Sequence, residues 1–429
     1  MDESIRKQIV SLIKREVVPA IGCTEPISVA LCTAKAKEIL GSVPEEITVH
    51  LSANILKNAM GVGIPGTGMI GLPIAIALGA LIGNSEYQLE VLKESNPEAV
   101  EKGKQMIDEK RIHISLKEEI KEKLYIEVVC RAKGESATAV ITGGHTTFVY
   151  LAKGTEVLLN KQHTAEEEAE EETPELTLRK AYDFALTAPL DEIRFILDTA
   201  HLNKTAAEQS FHGNYGHALG RMLQGEKERA IMGDTTYTHI LSYTSAACDA
   251  RMAGAMIPVM SNSGSGNQGI SATLPVLIFA EENNKSEEEL IRALTLSHLT
   301  VIYIKQSLGR LSALCGCVVA ATGSSCGITL LMGGDYNRVA YAVQNMVANL
   351  TGMICDGAKP SCALKVASGV STAVLSAMMA MEDKCVTCVE GIVDEDVDQS
   401  IRNLTRIGAL GMNETDRMVL DIMTGKGKE

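Results

Sequence analysis

The chain has 429 residues, of which 45% are hydrophobic, and its formal net charge is −14. This length and apolar content predict a multi-domain protein with large buried cores. The acidic balance, without a cluster of Lys and Arg residues, argues against nucleic acid as a partner and favours a small molecule. The N-terminal segment is charged and amphipathic, so we expect no secretory signal and a cytoplasmic protein with reduced thiols.

The N-terminal region mixes helical and strand patterns. Residues 4–17 have helical periodicity, and an Ala-rich helix is predicted over residues 27–40. The segment EEITVHLSA alternates as a strand does, and the stretch from KLYIEVVC to GTEVLL predicts two or three adjacent strands. An α+β domain over residues 1–158 is the simplest interpretation.

A dense acidic run, KQHTAEEEAEEETPE, follows this domain and has no apolar periodicity. We interpret residues 159–175 as a solvated linker, and the alternative is a segment that binds cations or a partner. Residues 176–429 contain one helical pattern after another, which predicts a mostly all-α catalytic domain. Two apolar stretches, residues 69–83 and 369–381, are shorter than the ~18 residues of a membrane span, so we expect buried helices and no membrane partner.

Polar residues concentrate in the segment from His201 to Leu223, which predicts a helix, a Gly-Asn-Tyr-Gly turn and a second helix. The spacing of His212 and His217 does not align them on one helix face, which disfavours a metal site there. The alternative is that polar groups of this segment line a pocket.

The loop MSNSGSGNQGISATLPV, residues 260–276, is rich in Ser, Gly and amide side chains and precedes an apolar run. Such a loop exposes backbone N–H groups at a helix N-terminus, where a carboxylate or phosphate binds, although Ser and Gly are also ordinary turn residues. A phosphate would suggest pyridoxal phosphate, which needs a Schiff-base lysine and a strand-rich α/β setting. Lys305 and Lys365 lie in helical patterns, so we expect no pyridoxal phosphate.

The last third of the chain carries a trio of cysteines, Cys317, Cys355 and Cys362. Three thiolates at one point hold a metal or cluster and leave a coordination position open. Core packing is the alternative for any single cysteine. We assign a core position to four others, namely Cys32, Cys130, Cys248 and Cys326. Cys385 and Cys388 form a C-x-x-C pair without a second pair to complete a zinc site.

Several segments together resemble the L-cysteine desulfidase family of iron–sulfur lyases, which is similar to the α and β parts of bacterial iron–sulfur L-serine dehydratases. The segments, in chain order, are VVPAIGCTEPISVALCTAKA, NAMGVGIPGTGMIGLP, HGNYGHALGR, SNSGSGNQGISATLPV, GCVVAATGSSCG and CDGAKPSC. The resemblance runs from about Val17 to Gly411, with the acidic linker as the main gap. It implies a first domain like the dehydratase β part and a second domain like the α part.

The resemblance further implies a four-iron four-sulfur cluster in the helical domain. By position, Cys317, Cys355 and Cys362 would hold three irons, with Cys315 as the alternative to Cys317. The fourth iron would be free for substrate. Some single-chain serine dehydratases have a C-terminal cysteine at that iron, whereas this chain ends GKGKE.

Cys23 stands where the dehydratase β part has a Ser-Ser-His-Thr-like loop, so a thiol and Glu25 replace a hydroxyl and an imidazole. This substitution favours L-cysteine over L-serine as substrate. We expect β-elimination to pyruvate, ammonia and hydrogen sulfide, with the open iron as Lewis acid and Cys23 as the base whose pKa is lowered. A weak fourth-ligand role and simple burial are the alternatives for Cys23.

The substrate is expected to bind at the domain interface. Its carboxylate would contact the Gly/Ser loop, and three first-domain residues would close the pocket. The loop residues are Ser263, Gly264, Ser265, Gly266, Asn267 and Gln268, and the others are Asn58, Thr67 and His145. Asn58 and Thr67 as turn residues, and His145 as a core histidine, are the alternatives. The rival functions are an iron–sulfur L-serine dehydratase, a pyridoxal phosphate lyase and a non-catalytic metal-binding or sensor protein. The sequence leaves open whether the chain forms a homo-oligomer.

Overall fold

The computed structural model of the protein describes residues 1–118, 120, 122–161, 173–309 and 311–426. Residues 162–172 of the predicted linker lie outside these ranges. In chain order, the α-helices are α1 (Glu3–Glu16), α2 (Thr24–Leu40), α3 (Ala53–Ala59), α4 (Leu72–Leu81), α5 (Pro97–Asp108), α6 (Leu178–Thr187), α7 (Leu190–Ile193), α8 (Leu197–His212), α9 (Leu219–Met222), α10 (Glu226–Met232), α11 (Thr236–Met252), α12 (Gly266–Glu282), α13 (Glu287–Leu308), α14 (Gly316–Leu331), α15 (Tyr336–Leu350), α16 (Cys362–Met381), α17 (Val397–Arg406) and α18 (Asn413–Gly425). The strands are β1 (Pro19–Ile21), β2 (Glu46–Leu51), β3 (Ile112–Leu116), β4 (Tyr125–Ala132), β5 (Glu135–Thr142), β6 (Phe148–Lys153), β7 (Glu156–Asn160) and β8 (Pro258–Met260).

The N-terminal half contains a six-stranded mixed sheet in the order β3-β2-β4-β5-β6-β7. β2 and β3 are parallel, and the other neighbours are antiparallel. Helix α2 packs across β4 and β5, and α4 packs on α2. Alternate residues of β4, Ile126, Val128 and Cys130, are fully buried. The α and β content of the prediction is confirmed.

The strand count differs from the sequence-based expectation. The stretch predicted to hold two or three strands contains four, β4 to β7, and β3 was not predicted. β3 is a five-residue strand at the sheet edge whose burial pattern contains no fully buried position. Because an edge strand with partial burial lacks a strong apolar alternation, the sequence gives little signal for it.

The C-terminal half is built of helices around α14, which contacts α12, α13, α15 and α16. Small residues allow close approach of these helices: a Cβ on Gly323 would lie 2.4 Å from the carbonyl oxygen of Ser297 on α13. This half also contains a strand, β8, which pairs antiparallel with β1 of the N-terminal half.

Two hydrophobic cores are present, and each includes residues from the other half of the chain. Ile9, Leu12 and Ile13 of α1 pack in the core of the helical half, whereas Leu311 packs in the core around the sheet. The predicted domain boundary after residue 158 therefore stays a prediction. Two N-terminal elements, β1 and α1, pack with the C-terminal half. The candidate site lies between the two cores, and residues of both cores contribute to its walls.

The apolar stretches predicted as buried helices are α4 and the C-terminal part of α16. α4 is buried along most of its length. α16 has 20 residues, so the apolar helix is longer than the sequence stretch suggested, because it begins at Cys362. Within the described residues, it is the one helix with the length and apolarity of a membrane span, and 56% of its most apolar window is buried. A core helix passes the same test, so this observation is weak evidence for a membrane.

Candidate active site between the two cores

A cavity of about 100 Å³ lies where the two cores meet. Segments distant in sequence contribute its polar and sulfur-bearing walls. These residues are Cys23, Glu25, Asn58, Arg251, Ser265, Asn267, Gln268, Lys305, Ser312, Cys315, Cys317, Cys355 and Cys362. The cavity therefore contains all three predicted cluster cysteines, the alternative Cys315, and the predicted catalytic Cys23.

Backbone pairing places Cys315 beside Cys355. The N–H of Cys355 donates to the Ala313 carbonyl at 2.7 Å, and the N–H of Cys315 donates to the Met353 carbonyl at 2.9 Å. Cys315 is the N-cap residue of α14, and Cys362 is the first residue of α16. The start of α14 thus brings Cys315, and the loop and start of α16 bring Cys355 and Cys362, to one cavity.

Cys315 and Cys317 have different neighbours. The charge of Cys315 acts on both Cys355 and Cys362, whereas Cys317 interacts with Cys315, Cys362 and the buried Cys248. A hydrogen bond from the Cys317 thiol lowers the pKa of Cys315, against the effect of burial. Cys315 is therefore the more readily ionised sulfur of the two.

Lysine side chains surround the cysteine loop. Lys57 Nζ donates to the Cys355 carbonyl at 3.3 Å and pairs with Asp416 of α18. Lys365 and Lys359 both pair with Asp356. Burial alone would raise the pKa of Asp356, but hydrogen bonds from these two lysines lower it to about 2. Burial raises the pKa of Cys355 to about 11 and also raises that of Cys362, and the lysine charges oppose this rise without cancelling it.

The cysteine set fits a cluster better than a single ion. Within the described ranges, no three His, Cys, Asp or Glu side chains converge closely enough to bind one metal ion. Cysteines that bind separate irons of a cluster need only line a common cavity, as these do. The surrounding lysines would offset the negative charge of the thiolates.

Cys23 is the N-cap residue of α2 and donates from Sγ to Glu25 Oε2 at 3.0 Å. Glu25 also accepts from Thr24 Oγ1 and from Asn58 Nδ2, each at 3.0 Å. Burial and the Glu25 charge raise the pKa of Cys23 well above its usual value. The expected lowering is therefore opposite to what the surrounding protein groups produce, since the neighbour is a carboxylate. In this environment the proton rests on Cys23.

The Glu25 carboxylate is buried but ionised. Burial alone would raise its pKa, whereas the nearby His145 charge and the Cys23 hydrogen bond lower it. His145 is buried and its charge acts on Glu25, but it is not among the residues that line the cavity, so its predicted role in closing the pocket stays a prediction. Asn58 lines the cavity and contacts Glu25 directly. Thr67, in contrast, is outside the cavity lining and donates to the Ile64 carbonyl at 2.8 Å, as a turn residue does.

The Gly/Ser loop precedes a helix, α12, as predicted, and it follows a short strand, β8, that was not predicted. Ser265, Asn267 and Gln268 line the cavity, and Thr24 Oγ1 donates to the Gly264 carbonyl at 2.9 Å. Ser263 has φ of +48° and donates to Asn262 Oδ1, so its side chain belongs to the loop framework. Gly266 lies against Arg251, and a Cβ there would be 2.2 Å from Nε.

A buried polar network holds this loop from behind. Asn262 Nδ2 donates to His298 Nδ1 at 3.0 Å, and His298 Nε2 contacts Thr273 Oγ1 at 3.0 Å. Asn203 Oδ1 accepts from the Met260 N–H at 2.9 Å. Burial lowers the pKa of His298 to about 3, so this histidine is neutral. The network fixes the loop through groups that nothing in the local sequence identifies.

The remaining cysteines lie away from the cavity lining. Cys32, Cys130, Cys248 and Cys326 are buried, as expected for core positions. Burial raises the pKa of the Cys248 thiol, and the charge of nearby Cys362 raises it further. Cys385 donates to Gln344 Oε1, while Cys388 is exposed. Of the pyridoxal phosphate candidates, Lys305 lines the cavity and Lys365 pairs with Asp356.

The sequence-based prediction missed Arg251, which lines the cavity, and it paired Glu25 with the Cys23 thiol without giving the carboxylate a catalytic role. Arg251 lies in the helical pattern of α11, where an arginine usually faces solvent. Glu25 follows Cys23 by two residues, and this short spacing was the available signal for it.

Comparison with known proteins identifies the family of this chain. Residues 86–421 match the family described as serine dehydratase alpha chain. A UPF0597 protein of Bacteroides fragilis is 82% identical over 427 residues, with complete coverage of both chains. A UPF0597 protein of Porphyromonas gingivalis is 56% identical over 99% of this chain and all of its own, and one of Aeromonas hydrophila subsp. hydrophila is 44% identical over 97% and 96%. The chain therefore belongs to the serine dehydratase alpha chain family, a family of lyase-type enzymes, and is similar along its length to UPF0597 proteins.

Proposed function

We propose that the protein is an iron–sulfur lyase that converts L-cysteine to pyruvate, ammonia and hydrogen sulfide in the cytoplasm. The observation that carries this proposal is the convergence of four cysteines on the cavity that also contains Cys23 and Glu25. A sensor or storage protein needs the cysteines but not the acid–base pair or the polar loop. The alternative reaction, dehydration of L-serine, is favoured by the family name alone.

Cys315, Cys355 and Cys362 would hold three irons of a four-iron four-sulfur cluster. We prefer Cys315 to Cys317 because the backbone pairing of Leu314 with Ile354 places Cys315 beside Cys355. Cys317 would then donate a hydrogen bond to the Cys315 sulfur. When bound, such a cluster supplies a Lewis acid at the iron that lacks a protein thiolate.

The chain's own groups bind the substrate and move its protons. Ser265, Asn267 and Gln268 face the cavity at the start of α12, where a carboxylate is favoured. As the α-proton of the substrate moves to the Cys23 sulfur, the thiol proton of Cys23 passes to Glu25, so that the sulfur is a thiol again and no free thiolate forms. The proton on Glu25 leaves with the departing sulfide.

Elimination breaks the Cα–H and Cβ–S bonds and forms an enamine, which tautomerises to an imine. One water molecule then hydrolyses the imine to pyruvate and ammonia. The overall reaction is redox-neutral, so it needs no oxidant or reductant and no co-reactant besides water.

The test is anaerobic purification with iron and sulfide reconstitution, followed by assays of sulfide and pyruvate release from L-cysteine and of pyruvate release from L-serine. We expect about four irons per chain in wild type, sulfide release from L-cysteine, and loss of both iron and activity in Cys355→Ser. Cys388→Ser is the matched control, because Cys388 is exposed and outside the cavity. Iron-free wild type, or an equally active Cys355→Ser variant, would reject the proposal. Turnover of L-serine without L-cysteine would favour the dehydratase.

A further inference from the structure

Arg251 is a buried arginine without a partner for its Nε atom. Its relative exposure is 3%, and Nε forms no hydrogen bond within the described part of the chain. The same part contains no carboxylate within ion-pair distance of its guanidinium. A buried cation without hydrogen bonds is unfavourable unless a ligand completes its interactions.

The position of this side chain is fixed by its neighbours. Arg251 is near the end of α11, and its guanidinium lies against Gly266, the first residue of α12. Because a Cβ at Gly266 would lie 2.2 Å from Nε, the glycine makes room for the arginine. The guanidinium charge opposes the rise in the pKa of Cys23 that burial and Glu25 cause, and it contributes to the lowered pKa of Glu25, so Arg251 lies on the side of the cavity near the acid–base pair.

Other polar atoms around the cavity also lack partners. They are Asn58 Oδ1, Asn267 Oδ1 and Gln268 Oε1, and each is a buried amide oxygen of a residue that lines the cavity. Amide oxygens accept hydrogen bonds, and an ammonium group donates them. The cavity thus offers one unpaired cation and several unpaired acceptors, which complement a small molecule with a carboxylate and an ammonium group.

We propose that Arg251 binds the α-carboxylate of the amino-acid substrate and positions its α-carbon beside Cys23. The inference rests on the proposed function and assigns its substrate-positioning residue, which also restricts the enzyme to amino acids with a free carboxylate. A planar guanidinium donates two parallel hydrogen bonds to a carboxylate, an arrangement that lysine does not reproduce. The alternative is that Arg251 acts only as a counter-ion of buried Glu25.

Two ligands that differ only at the carboxyl group separate these roles. L-alanine has the α-carboxylate and no leaving group, and L-alaninamide has a neutral amide in its place. The dissociation constants of both are measured by calorimetry on anaerobically reconstituted wild type, Arg251→Met and Arg251→Lys. Arg338→Met, at an exposed ion pair with Asp383, is the control.

We expect Arg251→Met to weaken L-alanine binding by roughly 10- to 100-fold and to leave L-alaninamide binding unchanged. Arg251→Lys keeps the charge and should recover only part of the L-alanine affinity. If Arg251 is only a counter-ion, both ligands lose affinity equally, and this result overturns the inference. Equal L-alanine affinity in wild type and Arg251→Met, or no binding of L-alanine by wild type, overturns it as well.

The experiments distinguish a failure of the proposed reaction from a failure of this inference. L-alanine binding that depends on Arg251, in a protein that releases no sulfide from L-cysteine, supports the inference and rejects the reaction. Sulfide release with a Michaelis constant that does not change in Arg251→Met supports the reaction and rejects the inference.

Discussion

The Sγ atom of Cys23 lies 3.0 Å from Oε2 of Glu25 and donates a hydrogen bond to it. Both residues are buried, and the Glu25 carboxylate is held in place by Thr24 and Asn58. A thiol of raised pKa becomes a base only if a nearby group accepts its proton. Glu25 is in position to be that group, so the pair acts as one unit.

Glu25→Gln keeps the shape of the side chain and removes its capacity to take a proton. We expect kcat for sulfide release to fall by about 10²- to 10⁴-fold, with a smaller change in KM. Steady-state assays of the reconstituted enzyme measure both constants. Glu98→Gln, at an exposed carboxylate of α5, should leave them unchanged. An unchanged kcat in Glu25→Gln would show that Cys23 loses its proton by another route.

Cys315 and Cys317, at the start of α14, should respond differently to substitution. Cys315→Ser should lower bound iron and visible absorbance after reconstitution, because Cys315 lies beside Cys355 and lines the same cavity as Cys355 and Cys362. Cys317→Ser should retain the iron, since its sulfur would only donate a hydrogen bond to Cys315. Iron analysis of both variants measures the difference. The opposite result would return Cys317 to the ligand set.

Lys57 links the N-terminal half, the cysteine loop and the C-terminal helix. Its side chain is 1% exposed, and its partner Asp416 on α18 is 16% exposed. In a double-mutant cycle of Lys57→Met and Asp416→Asn, we expect a coupling free energy of about 0.5–3 kcal/mol. Urea unfolding of the cluster-free protein measures it. The exposed pair Lys102–Glu98 should couple by at most about 0.5 kcal/mol. Equal coupling in the two pairs would contradict the role of Lys57 as a buried link.

His298 should make the fold sensitive to acid. Its pKa is about 3 in the folded protein because it is buried, whereas an unfolded histidine titrates near 6.5. The unfolded chain therefore binds the extra proton between pH 6.5 and 3, and stability falls as the pH decreases through this window. The slope from this residue is at most about 1.4 kcal/mol per pH unit.

The urea midpoint of cluster-free protein between pH 7 and pH 5 tests this dependence. His298→Gln lacks the titrating group, so its midpoint should change less with pH than that of wild type, even if it is lower throughout. His113→Gln, at a more exposed position of β3, should retain the wild-type dependence. Parallel curves for wild type and His298→Gln would indicate that other groups determine the acid sensitivity.

The tertiary structure explains which predictions were accessible from sequence. Helices α1 and α2 and the alternating strand β2 have strong local periodicity, so they were predicted close to their bounds. β3 was missed because its burial is partial. Thr67, expected at the pocket, forms turn hydrogen bonds instead, because a hydroxyl in a Gly-rich loop finds backbone acceptors close by.

By itself, the sequence determined the chemistry that is available: the spaced cysteines, the Gly/Ser loop before α12 and the thiol at Cys23. Each of these is a local sequence pattern, which can be recognised without knowledge of the fold. Only the tertiary structure decided which groups meet, namely Cys23 with Glu25, Cys315 with Cys355, and Arg251 with Gly266. These contacts depend on the packing of two cores against each other, and a buried arginine on a helix has the same local sequence pattern as an exposed one.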